Sequence, residues 1–203
     1  MALLQANIKI QGTRPLLFNC FKPEILSIEK RERTGVAGND PEEWQRSFMA
    51  TKKGELYVDQ SYVFGCLREA ARYTKKGRGS IQSSLVATLQ VLNEMILFNR
   101  ILPRKLDKIT TDSSEPIYID IRSVKNPSTK GRNIRYRLAL SPGWETNFSV
   151  IWDNTLVNRE QMRAICHDAG ILVGIADGRS LGFGRFDITS FEVEEFNAKK
   201  TTA

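Results

Sequence analysis

The feature that most constrains this chain lies near its C-terminus: Gly174-Ile-Ala-Asp-Gly178-Arg-Ser-Leu-Gly182-Phe-Gly184-Arg-Phe. It leaves a helix-like stretch and enters a strand-like one. Glycine admits positive φ and has no Cβ to fend off a neighbour. Arg179 and Arg185 add fixed positive charge, and backbone N–H groups with guanidinium forks are what phosphate oxygens bind. A dinucleotide fingerprint or a P-loop runs strand, glycine loop, helix, with the phosphate on the helix N-terminus. Here the order is reversed, and no G-x-x-x-x-G-K-[ST] occurs. The loop therefore suits a nucleic-acid backbone better than ATP or NAD. The alternative is that its glycines only relieve crowding in a tight connection.

Composition narrows the partners. The chain has 203 residues, enough for one large domain, expected here as a single unit over 1–203. Net charge is +7 with a pI near 9.4. That favours an acidic partner, nucleic acid first, with plain solubility charge as the alternative. Cys20, Cys66 and Cys166 are far apart, with neither CxxC pairs nor zinc spacing. A reducing, cytoplasmic setting is expected, without metal or cofactor. No stretch approaches a membrane span and no signal peptide is visible, so no membrane partner is expected.

Periodicity predicts the elements. Residues 3–11 alternate as a strand, with Ala6, Ile8 and Ile10 on one face. Residues 29–54 turn charged, glycine-rich and aperiodic, as an exposed insertion does. Asp59 can cap a helix over about 60–74 that buries Val63, Leu67 and Ala70. Ser80 can start another to about Thr88, and VLNEMILF can be a buried strand. Residues 117–124, 132–140 and 148–153 read as strands. Asn158 with Gln161 resembles a capping box opening a helix at 159–169, with Gly170 as C-cap, and 186–196 is the last strand. The fold class is α+β: a ferredoxin-like, RRM-like βαββαβ core with a thumb or hairpin inserted after the first strand. Two helices cover one sheet face and leave the other for a ligand or partner.

From Ile121 to Trp144 the chain carries Arg122, Lys125, Lys130, Arg132, Arg135 and Arg137 and no acid. Arg135 and Arg137 share a strand face with Tyr136 opposite, a phosphate track or else a solvated face. The insertion mixes Arg31, Arg33, Lys52 and Lys53 with Trp44 and Phe48. Such a mixture holds single strands by charge and stacking, or serves as a protein contact arm. Catalytic groups are sparse. His167 is the only histidine, and the acids show no paired spacing. The chain is therefore expected to be no enzyme.

Taken together, ANIKIQGTRPLLFN, YVDQSYVFGCLREAARY and AGILVGIADGRSLGFGRF resemble the RAMP superfamily of CRISPR-associated proteins. Within it the likeness is to the Cascade-type backbone subunit and its phage or mobile-element relatives. The resemblance implies an RRM-like core, a thumb after the first strand and a glycine-rich loop before the last. It implies an RNA-binding, repeating subunit that holds guide RNA for pairing with a complementary single-stranded target, beside other copies of itself and other effector subunits. The loop likeness falls on Gly174, Gly178, Arg179, Gly182, Gly184 and Arg185, and the thumb likeness on about 29–54. Some relatives cut RNA with an acid in a loop after the first strand, for which Asp40 is the nearest candidate. The alternatives are an endoribonuclease of the same superfamily, or a phage-encoded protein-interaction mimic of the backbone subunit.

Overall fold

The computed structural model describes residues 2–20, 40–125 and 130–197. Residues 29–39 of the expected thumb, with Arg31 and Arg33, lie outside them. Strand β1 is Leu3–Gly12 and β2 the short Leu16–Leu17. Next come β3 Met49–Ala50, β4 Glu55–Asp59 and helix α1 Gln60–Ala70. A small hairpin of β5 Lys75–Lys76 and β6 Gly79–Ser80 leads to α2 Gln82–Val86 and β7 Gln90–Val91. Then follow β8 Met95–Ile101, β9 Ile117–Lys125, β10 Arg132–Leu140 and β11 Glu145–Asp153. Helix α3 is Arg159–Asp168 and β12 is Phe186–Glu195.

The main sheet runs β12-β1-β11-β8-β4-β3, all antiparallel. Taken with α1 and α3, its strands β1, β8, β11 and β12 stand in the order fourth, first, third, second. That is consistent with a ferredoxin-like core. Ala6, Ile8 and Ile10 alternate inward from β1 and are at most 1% exposed. They pack with Phe148, Val150 and Trp152 of β11 in one core that includes Val63 and Leu67 of α1 and Met162 and Ile165 of α3.

Local signals set the helix starts. Asp59 Oδ1 accepts the Ser61 N–H at 2.8 Å. Asn158 and Gln161 form a reciprocal capping box at 2.9 and 3.0 Å. The far ends differ from expectation. Helix α1 stops at Ala70, and Lys75–Lys76, expected near its end, instead pair with Gly79–Ser80. Helix α3 does not cap at Gly170 but runs on through a π turn, Ala169–Val173. Gly170 instead faces the Phe186 backbone, where an added Cβ would sit 2.1 Å from the carbonyl oxygen.

Strands β9 and β10 leave the main sheet and form a second one with β2. Leu16 and Leu138 turn into the main core, while Leu17, Tyr118 and Ala139 make a separate cluster with Phe183 of the glycine loop. That second cluster seats the loop. The described part of the insertion is not an exposed arm. Trp44 and Phe48 are 7% and 6% exposed and stack at 6.3 Å between centroids, so they anchor the segment rather than offer rings to a ligand. Among the described residues no helix is long and apolar enough to cross a membrane.

Candidate nucleic-acid interface

The glycine loop leaves the π turn at Gly174 and makes one 3-10 turn, Arg179–Leu181, before β12. Backbone hydrogen bonds pin its base. Asp177 N–H donates to Leu17 O at 3.0 Å, Gly184 N–H to Pro15 O at 2.7 Å and Ile175 N–H to Gly184 O at 2.9 Å. Gly184 is buried, and a Cβ there would lie 1.9 Å from Ile175 O at φ 66°. Its missing side chain serves the chain's own close approach to Ile175. Gly182 differs: its φ is 85° and nothing lies within 4 Å of a built Cβ. Of the two it is the one open to a ligand.

Two open hollows flank the turn. The larger, about 850 Å³, is lined by Arg14, Arg122, Gly182, Phe183 and Arg185 among others. The second, about 560 Å³, is lined by Arg137, Asp177, Gly178, Arg179 and Arg185. Arg185 belongs to both. Its Nη1 is buried and has no hydrogen-bond partner among the described residues. Arg14 and Arg179 are exposed and, among the described residues, make no ion pair.

The strand arginines stand otherwise. Arg135 and Arg137 do share a face of β10, opposite Arg122 and Asp120 of β9. None of the three is a bare charge. Arg122 is held by both oxygens of Asp120, at 2.6 and 2.5 Å. Arg135 Nε donates to Glu43 Oε1 at 2.5 Å. Arg137, 7% exposed, has Asp177 Oδ2 at 3.1 Å from its Nε. The run without acids is thus neutralised by acids from elsewhere, since like charges opposite one another are unfavourable. Arg137 thereby ties the glycine loop to β10. Lys125 and Arg132 remain exposed, opposite each other at the open end of the hairpin.

Asp40, the nearest cleavage candidate, pairs with Arg46, and its Oδ1 accepts the Glu42 N–H at 3.0 Å. It starts a 3-10 turn, Glu43–Arg46. His167 is exposed near the end of α3. Among the described residues no group of three or more His, Cys, Asp or Glu is placed to hold a metal ion. What sequence reasoning missed is Arg14. Its signal was present, a lone arginine before proline in the turn that meets the glycine loop: Thr13 N–H donates to Arg185 O at 2.9 Å.

The exposed face of the main sheet has two halves. Toward β8 and β4 it carries the exposed Met95 and Leu97, with Leu97 opposite Tyr57. Toward β12 it is polar and acidic. Here Gln5, Asn7, Lys9 and Gln11 of β1 stand opposite Glu194, Glu192, Ser190 and Asp187 of β12, with Glu145 on the other side.

No protein-family profile matches the sequence, and no curated protein does. Among solved structures the chain is similar to one from the cryo-EM structure of the Type III-B Cmr-beta bound to cognate target RNA, at 12% identity and a TM-score of 0.46. The match covers 96% of this chain and 61% of the other, so this chain spans less than two thirds of that one's length.

Proposed function

We propose that this protein binds single-stranded RNA by its phosphate backbone at the glycine turn, as a repeating, non-catalytic subunit of an RNA-guided effector of CRISPR type. Arg185 carries the reading. It lines both open hollows, and beyond it on either side stand Arg14 and Arg179, exposed and without ion pairs among the described residues. A phosphate oxygen is the acceptor a guanidinium takes best. Arg14, Arg185 and Arg179 then serve successive phosphates. The loop, strand and helix sequences that resemble the RAMP superfamily support the assembly role, with guide RNA, complementary target, further copies and other effector subunits as partners. Asp40, held by Arg46 and the Glu42 backbone, supports binding without cleavage.

Anisotropy of a labelled single-stranded RNA over a salt series tests this. Each phosphate contact contributes about −0.7 to the slope of log K against log salt on single strands. Arg14→Ala, Arg179→Ala and Arg185→Ala should each weaken binding and flatten the slope by about that amount. A wild-type slope near zero, or unchanged affinity in all three variants, would remove the turn from the interface. Accumulation of shorter labelled fragments would shift the reading to an endoribonuclease.

A further inference from the structure

We infer that the larger hollow takes one splayed-out nucleobase, stacked on the guanidinium of Arg122, while its phosphate lies at Arg185 and Arg14. The inference rests on backbone binding at the glycine turn. Arg122 is ill-suited to a phosphate. Asp120 occupies the edge of its fork through Nε and Nη2 and neutralises its charge. The carboxylate engages two of the five N–H donors and leaves the flat plane uncovered. Phe183 lies against one face, with Cζ 4.4 Å from the ring centroid. The side chain is still 36% exposed and lines the hollow. Guanidinium planes fixed in this way are surfaces on which unstacked bases lie.

The surrounding wall points the same way. Ile121, Ile171 and Leu181 line the hollow and are 47%, 51% and 65% exposed. A phosphate track has no use for three exposed aliphatic side chains, whereas a base covers them. Thr111 and Ser113 add hydroxyls that meet a base edge. Arg14 and Arg185 line the same hollow, so one nucleotide can span cation and stacking plane. A volume of about 850 Å³ is that of a small-molecule site.

Two labelled RNAs of equal length separate base from backbone: an oligouridine, and the same strand abasic at every position. Both present the same phosphates. Wild-type protein should bind the oligouridine tighter by about fivefold or more, the worth of one stacked base. Arg122→Lys keeps the charge but removes the plane, and should bring the ratio of the two affinities toward one. Phe183→Leu, which keeps an apolar contact with Leu17 but removes the ring under the guanidinium, should lower the same ratio and serves if Arg122→Lys does not fold. Equal affinities for wild-type protein would overturn the base subsite and leave backbone binding standing. Absence of binding to either strand would overturn both. A ratio unmoved in both variants would overturn the role of Arg122.

Discussion

Gly184 and Gly182 are two residues apart and answer to different forces. At Gly184 the Ile175 carbonyl occupies the place of a Cβ, at Gly182 nothing does, and both have positive φ. Gly184→Ala should therefore destabilise the fold by more than about 3 kcal/mol, through clash and strain together. Gly182→Ala should cost about 1 kcal/mol, the conformational penalty alone. Urea melts of the two variants check the difference, and equal losses would contradict it. In the sequence the two glycines look alike, because the carbonyl that separates them is brought to Gly184 only by folding. The buried thiols make a second residue-scale case. Burial is the largest cause that pushes the Cys66 thiol up, to about 12, against a smaller opposing pull from Arg179 and Arg185; burial also raises Cys166. An acid whose folded pKa is raised adds stability that is complete below its unfolded pKa, near 9 here. That stability is lost as pH climbs toward 12. Urea midpoints should fall over that window, and less steeply in Cys66→Ala after correction for the change in packing. Both thiols should resist a disulfide reagent at pH about 8 until the protein unfolds.

At the scale of elements, the 3-10 turn after Asp40 closes an open strand edge. β10 pairs with β2 only at Ala139 and Leu140. Further along that edge, Tyr136 N–H donates to Glu43 Oε2 at 3.1 Å and Leu138 N–H to Ser47 Oγ at 3.1 Å. Side-chain oxygens thus stand in for a neighbouring strand. Ser47→Ala leaves the buried Leu138 N–H unpaired and should cost about 1–3 kcal/mol. Thermal denaturation and exchange of that amide check it, and an unprotected amide is expected only in the variant. This element also shows where sequence reading stopped. Caps at Asp59 and Asn158 and the alternation of β1 are local, and they were legible. The partners of the strand arginines are remote: Glu43 and Asp177 come from the insertion and the glycine loop. A stretch free of acids in the sequence is paired in three dimensions. The departure of β9 and β10 into their own sheet was illegible for the same reason, since alternation tells a strand but not its neighbours.

Among the described residues, two surfaces of the molecule differ in charge. The net charge of +7 says nothing of where it lies. The glycine turn gathers Arg14, Arg179 and Arg185 without acids bonded to them among the described residues. The exposed sheet face sets Glu145, Asp187, Glu192 and Glu194 around the cation Lys9. A polyanion is therefore expected to be drawn to the first surface and repelled by the second, over distances of about a Debye length, ~8 Å at physiological salt. Lys9 and Arg185 therefore form a matched pair for experiment. Lys9→Glu changes the net charge by two units and Arg185→Ala by one. If attraction depended on overall charge, Lys9→Glu would do the greater harm. If it depends on the turn, Lys9→Glu should leave RNA affinity within about twofold of wild type with an unchanged salt slope. Arg185→Ala should lower both. Equilibrium titrations of the two variants at matched ionic strength decide between the alternatives. A larger loss in Lys9→Glu would move the RNA to the sheet face.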